Sequence, residues 1–449
     1  MSTSITGVWS AWTAITRSRC AAFAILLSFL GITAYAGTKV TTSGFVLQVN
    51  GAPFAIKGVN YAPVPIGVLP GDAPVFGDYF VPGFKNVWQP DIDKIRAAGV
   101  NTIRLYAGNP DLNAGAPGSA GNWKQFLDYC WNGGTNPVYV LMFSFTQGPQ
   151  IAAGGTLYQD YLRQYTELVQ STVKHPAVLG YVIGNEIYDG VTGNPQFWTN
   201  YGKLVDTAEN AGLSQGKKPF LTTAITDDYT PAAQWPAIKK GEESGQLTNL
   251  DAWGINIYRG PVMGVPGNSP FAQYLALMNQ LGVKKPMILG EFGTPHTTRP
   301  APSVYGEPAI TPIINLDDVA PAEIGPGKPY FASVETGTFL KGLWKVVTGN
   351  IGAKTTQVCV GGLIFEWSDE YWKAGNQFRS VQTGGPTKAF LGGAFAGSYG
   401  DEAGYGLTSD LNGSLYGPGM PNIVRSFFKG YEAVSDFYNA SSHTGGELY

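Results

Sequence analysis

The sequence predicts an α/β fold, a (β/α)8 TIM barrel with an N-terminal β-hairpin, on three observations. Short β-rich runs recur at 56–61, 102–106, 138–143, 179–185, 220–224, 252–258, 287–291 and 362–367, eight in all. The segments between them carry apolar residues at helical spacing, as in Tyr158-Tyr161-Leu162-Tyr165-Leu168-Val169-Val173 and Phe271-Tyr274-Leu275-Leu277-Met278-Leu281. Strands that alternate with helices build parallel β/α units. No glycine-rich phosphate turn follows an early strand, as a doubly wound open sheet would require, so the eight units are expected to close on themselves.

Taken in order, residues 1–36 hold Arg17 and Arg19 and no acid, then an apolar run of about sixteen residues ending in Ala34-Tyr35-Ala36. This reads as a signal peptide cleaved after Ala36, the run being short of the roughly twenty residues that span a bilayer. Residues 37–449 are expected to form a single catalytic domain that is secreted, periplasmic or extracellular, with no stable membrane insertion after cleavage. Phe45-Val46-Leu47-Gln48-Val49, Asn50-Gly51 and Ala52-Pro53-Phe54-Ala55-Ile56 give strand, type I′ turn and strand, hence the hairpin. Long connections follow strand seven (293–334) and strand eight (373–418). Both leave the carboxyl ends of strands, where barrel enzymes build their sites, and both are expected to wall a cleft. The polar tail 440–449 has no hydrophobic stretch that would signal a lipid anchor.

Composition narrows the function. Lys and Arg number 29 against 32 Asp and Glu, so no positive field favours phosphates and no nucleic-acid partner is expected. Three histidines, His175, His296 and His443, are too few for a His-rich catalytic metal centre; no metal and no cofactor is expected. The Gly-x-Gly-x-x-Gly, Walker and Gly-x-Ser-x-Gly motifs are absent. With the leader gone, Cys130 and Cys359 remain, enough for one disulfide or two buried thiols. Aromatics at 13% exceed what a core needs and suit the apolar faces of sugar rings.

In a barrel the informative polar residues sit at strand carboxyl ends. Those ends supply Tyr61, Arg104, Tyr106, Phe145, Asn185, Glu186, Asp227, Tyr258, Glu291, Glu366 and Trp367. Carboxylates with an arginine, an amide and aromatics are the means to protonate and displace at an acetal. Glu186, in Val182-Ile183-Gly184-Asn185-Glu186, and Glu291, in Met287-Ile288-Leu289-Gly290-Glu291-Phe292-Gly293, each end a short apolar strand and form the expected catalytic pair. Glu366 ranks third, because alternation along a strand puts either it or Trp367 outside the mouth. Tyr188, Trp372 and His296 are weaker candidates for substrate contact.

These segments resemble the clan A retaining glycoside hydrolases. The resemblance runs from Phe54-Ala55-Ile56-Lys57-Gly58-Val59-Asn60-Tyr61 through Gly99-Val100-Asn101-Thr102-Ile103-Arg104-Leu105-Tyr106, Gly184-Asn185-Glu186 and Gly290-Glu291-Phe292-Gly293 to Gly361-Gly362-Leu363-Ile364-Phe365-Glu366-Trp367. It is greatest to the family 72 β-1,3-glucanosyltransferases and looser to family 2 and family 5 catalytic domains. It implies a retaining β-glycoside hydrolase or transglycosidase acting on a polysaccharide or oligosaccharide of the β-glucan class. By the same resemblance Glu186 is the acid/base, Glu291 the nucleophile, Arg104 its neighbour and Tyr258 its orienting donor. Asn185 would then bond the sugar 2-hydroxyl, and Trp367 would present its face to the sugar; Tyr61, Tyr106 and Phe145 are weaker candidates for substrate contact. The chain departs from family 72 in having few cysteines, no anchor signal, and Gly290-Glu291-Phe292-Gly293 where those enzymes carry Ser-Glu-Tyr-Gly. A carbohydrate-binding barrel without catalysis is the alternative reading.

Overall fold

Asn50 and Gly51 both adopt positive φ, 53° and 83°, the conformation a type I′ turn requires. The turn joins Val46–Val49 to Ala52–Pro53, and a strand not expected from the sequence, Val40–Ser43, pairs on the other side to make a three-stranded antiparallel sheet. Leu47 and Val49 are buried with Ile56, Tyr139, Leu179 and Phe220. These four stand at or near the start of barrel strands, so the hairpin covers the barrel's amino-terminal end. The computed structural model describes residues 37–64, 79–106, 123–187, 194–230, 235–259, 263–264, 267–295, 336–370, 404–410 and 425–440, with short pieces at 191, 193, 232, 234, 297–298, 314–315, 386–388 and 399–401. All lie within the unit Gly37–Tyr449. The expected leader, most of the two long connections, and Tyr188, His296 and Trp372 lie outside the described residues.

The eight-stranded parallel barrel is closed. Its strands, one to eight, are Ile56–Tyr61, Thr102–Leu105, Tyr139–Ser144, Val178–Asn185, Leu221–Thr226, Trp253–Asn256, Met287–Phe292 and Cys359–Ile364. Each pairs with its neighbour in sequence, and strand eight returns to strand one with Gly361 opposite Ile56. Helices follow each strand in turn: Lys85–Ala97, Lys124–Trp131, Thr156–Thr172, Pro195–Ser214, Pro236–Glu243, Pro270–Leu281, Thr336–Thr348 and Lys429–Ala440. Three of these open on proline, whose fixed φ suits a first turn where its missing N–H costs nothing.

Strand eight begins and ends three residues before the expected 362–367. Gly361 and Gly362 lie inside it, where glycine usually weakens a strand, and this obscured the start. Both are needed for contact with the flanking strands. A Cβ on Gly361, whose φ is 110°, would stand 2.1 Å from the Ile56 carbonyl oxygen, and one on Gly362 would stand 2.6 Å from Leu289 Cβ.

The last helix ties the chain's end to its beginning. Trp344 packs edge-on to Tyr438 at 4.7 Å between ring centroids. Tyr438 Oη donates to the Gly58 carbonyl, and its own carbonyl accepts from Lys57 Nζ at 2.6 Å. Burial holds the Lys57 ammonium down at about 8. Just before this helix, Arg425 forms a two-pronged ion pair with Asp91, Nε–Oδ1 2.7 Å and Nη2–Oδ2 2.8 Å. Cys130 and Cys359 are both free and buried; burial raises both thiols, Cys359 to about 12, the state of unreactive core thiols. Among the described residues no helix is long and apolar enough to cross a membrane.

Candidate active site

Inward-facing positions near the carboxyl ends of strands two, four, six and seven converge on one polar cluster. On strand two, Arg104 is 1% exposed. Its Nη1 reaches Glu291 Oε1 at 3.5 Å and the Gly290 carbonyl at 3.1 Å, and its Nη2 donates to Asn185 Oδ1 at 2.6 Å. Tyr106, just past the strand, lies under the guanidinium at 4.6 Å and donates to Glu291 Oε1 at 2.5 Å. Tyr258, just past strand six, donates to Glu291 Oε2 at 2.8 Å. Glu291 therefore accepts from two phenols and a guanidinium, the pattern expected around a carboxylate.

Both phenols are held protonated, as this arrangement needs. Burial pushes Tyr106 well above the usual tyrosine range; Arg104 opposes the shift and the Glu291 carboxylate adds to it. Burial, again reinforced by Glu291, raises Tyr258 in the same way.

Strand four delivers the second carboxylate through a break in regular pairing. Its register against strand five shifts between Val182 and Asn185, and an irregularity of this kind re-aims side chains at a sheet edge. Glu186 then takes φ 51° while its N–H donates to the Ala224 carbonyl at 2.8 Å. A non-glycine residue in the left-handed region costs roughly 1–2 kcal/mol, and such strain clusters at functional sites. Glu186 Oε1 accepts from Asn256 Nδ2 at 2.8 Å, and the same nitrogen lies 3.3 Å from Asn185 Oδ1. A continuous hydrogen-bonded path thus runs Glu186, Asn256, Asn185, Arg104, Glu291.

Five of the eight residues singled out for the site, Arg104, Asn185, Glu186, Tyr258 and Glu291, meet here together with a sixth, Tyr106. The structure places the other two elsewhere. Tyr61 is fully buried on the outer side of strand one, where its hydroxyl donates to Asp91 at 3.0 Å. Trp367, 1% exposed, packs against Phe427 and Tyr431. The alternation argument for Trp367 fails because strand eight ends at Ile364, so the pleat no longer sets the phase three residues on. The rings bordering the cluster include Phe365, edge-on to both Tyr106 and Tyr258 at 6.0 and 6.4 Å, and Tyr405, edge-on to Tyr258 at 5.7 Å. Glu366 is buried near enough to act on the Tyr106 phenol. Asp227 is held by Arg259 and Trp235, and Phe145 is half exposed beyond strand three.

Sequence reasoning missed Asn256 and Asn60. Asn60 Nδ2 donates to the Gly290 carbonyl at 3.2 Å, beside Glu291. Asn256 was signalled as a polar residue within an otherwise apolar strand, whereas Asn60 shares its strand with Lys57 and carried no such signal. Among the described residues no group of three or more His, Cys, Asp and Glu could hold a metal ion.

No protein-family model matches the sequence. The chain is 25% identical over 255 residues to the 1,3-beta-glucanosyltransferase gas1 of Schizosaccharomyces pombe, a match covering 54% of this chain and 42% of that protein. Among solved structures, Saccharomyces cerevisiae Gas2p in complex with laminaritriose and laminaritetraose has a TM-score of 0.53 at 16% identity, over 92% of this chain and 70% of that one. The chain is similar to clan A glycoside hydrolases. A GH2 beta-galacturonidase from Eisenbergiella tayi bound to galacturonate gives a TM-score of 0.51 at 16% identity, over 91% of this chain and 55% of that one. At these identities the structural likeness is one of fold. The chain spans less than half the length of the curated relative it matches.

Proposed function

We propose that this chain is a retaining β-glycosidase or transglycosidase acting on a β-glucan, with Glu291 as nucleophile and Glu186 as acid/base, working outside the cytoplasm after removal of residues 1–36. The observation that carries the reading is the pairing of two glutamates at the ends of strands four and seven, one accepting from two phenols and a guanidinium and the other accepting from the Asn256 amide. The gas1 relative and the laminari-oligosaccharides bound to Gas2p support a β-1,3-glucan as substrate.

Glu291 Oε attacks the anomeric carbon as the glycosidic C–O bond breaks, and Glu186 gives its proton to the departing oxygen. Water or a sugar hydroxyl then attacks the glycosyl ester. Glu186 takes the proton of that attacking water or hydroxyl, and the bond to Glu291 breaks. Asn185 Oδ1 is occupied by Arg104 and Asn256, which leaves its Nδ2 to donate to a substrate hydroxyl.

Laminaripentaose digested with the protein and followed by NMR should give products that first appear with the β configuration, and oligosaccharides longer than five units if a sugar is the acceptor. A crystal structure should place the two carboxyl groups about 5–5.5 Å apart. First products with the α configuration, or a separation of about 6.5–9.5 Å, would replace double displacement with single inversion. Binding without cleavage across β-glucans, mannans and galactans would make the barrel a carbohydrate-binding module.

A further inference from the structure

Gly290 precedes the nucleophile, and its backbone φ is ordinary, so glycine is not required there by conformation. Space is the reason. A Cβ at Gly290 would stand 2.6 Å from Asn256 Oδ1 and 3.5 Å from Arg104 Nη1. Asn256 itself is 1% exposed, and its amide has no room to retreat without losing its contact with Glu186.

We propose that Asn256 is a positioning residue for the acid/base Glu186, and that the missing side chain of Gly290 is what admits the Asn256 amide to that post. This rests on the assignment of Glu186 as acid/base. The amide Nδ2 donates to Glu186 Oε1, so Oε1 serves as acceptor and the proton that Glu186 delivers belongs on Oε2. Strand seven therefore bears on both halves of the reaction: Glu291 attacks, and the residue before it sets the aim of the proton donor through strand six.

The test is a double-mutant cycle with Gly290→Ala, Asn256→Ala and the pair, read with laminaripentaose and with an aryl β-glucoside whose leaving group needs no proton. Each single variant should lower kcat/KM on laminaripentaose by about 10²-fold, as a misplacement near 1 Å does, and spare kcat/KM on the aryl glucoside. In the Asn256→Ala background, where no amide is left to meet the Cβ, Gly290→Ala should cost almost nothing more. Loss of a donor to a carboxylate disfavours its ionised form, so both single variants should also move the alkaline limb of the pH profile upward. Additive losses, or an unmoved alkaline limb, would overturn the proposal. Glu186→Ala on the same substrates separates the two assignments: equal loss on both removes Glu186 as the acid, while additivity on laminaripentaose still decides the coupling. The same cycle read by thermal unfolding needs no activity; there Gly290→Ala should lower Tm in the parent and much less beside Asn256→Ala.

Discussion

Replacing Glu291 with Ala should abolish turnover on every glycoside the protein accepts, a loss of at least about 10⁴-fold. The covalent step has no substitute for the missing carboxylate, and the two phenols and the guanidinium that converge on it are left with nothing to hold. Glu186→Ala should behave differently. Natural glucans need the leaving oxygen protonated and should lose 10²- to 10⁴-fold, on the order expected of general acid catalysis. Aryl glycosides with acidic leaving groups need no such proton, so their kcat/KM should remain near that of the parent. The second step still lacks its base, so kcat on aryl glycosides should fall and added azide, which needs no base to attack, should restore it as a glycosyl azide. Equal losses on both substrate types, with no azide product, would remove the division of labour between the glutamates.

The largest expected effect on stability is at Asp91. Its carboxylate is 2% exposed and carries both prongs of Arg425, itself 8% exposed, as well as the Tyr61 hydroxyl; the third guanidinium nitrogen reaches Ser368. Removing one partner of a buried pair strands the other charge, at a cost of about 3–5 kcal/mol. Asp91→Ala should therefore lower the midpoint of urea unfolding strongly without changing the slope. An Asp91→Leu, Arg425→Met double variant removes both charges and should recover much of the loss. A single variant within about 0.5 kcal/mol of the parent would show that the pair contributes little to the fold.

The barrel was legible in the sequence because buried parallel strands read as short β-branched runs between helical patterns, and seven of the eight lie close to where they were expected. The eighth was displaced by Gly361 and Gly362, residues that discourage a strand by propensity yet are demanded by the close approach of strands one and seven. The two glutamates, Arg104 and Tyr258 were legible because charge and hydroxyl at strand ends have no role in a dry core. Tyr61 and Asn60 illustrate the limit. They are adjacent, so the pleat turns them to opposite faces, and the tyrosine drew attention while the asparagine beside it faced inward. Asn256 was overlooked for a related reason. Amides pack quietly in many cores, and only the position of the Glu186 oxygen against its nitrogen gives it a task.

The seam between strand eight and strand one bears on how the chain reaches this structure. Lys57 and Tyr438, joined by a hydrogen bond, are 381 positions apart, and at 5–20 residues per second a ribosome takes roughly 20 to 80 s to make that stretch. For most of that time, until strand eight at Cys359–Ile364 is made, the first strand has one open edge and the sheet cannot become a cylinder. Contacts so distant in sequence also form slowly, because a long loop must close before they repay its entropy. The barrel should thus close only after strand eight has been made, and until then the nascent half-sheet leaves an edge open to pairing with other chains. A nonsense change before Cys359 should yield not a shortened enzyme but an open sheet prone to aggregate.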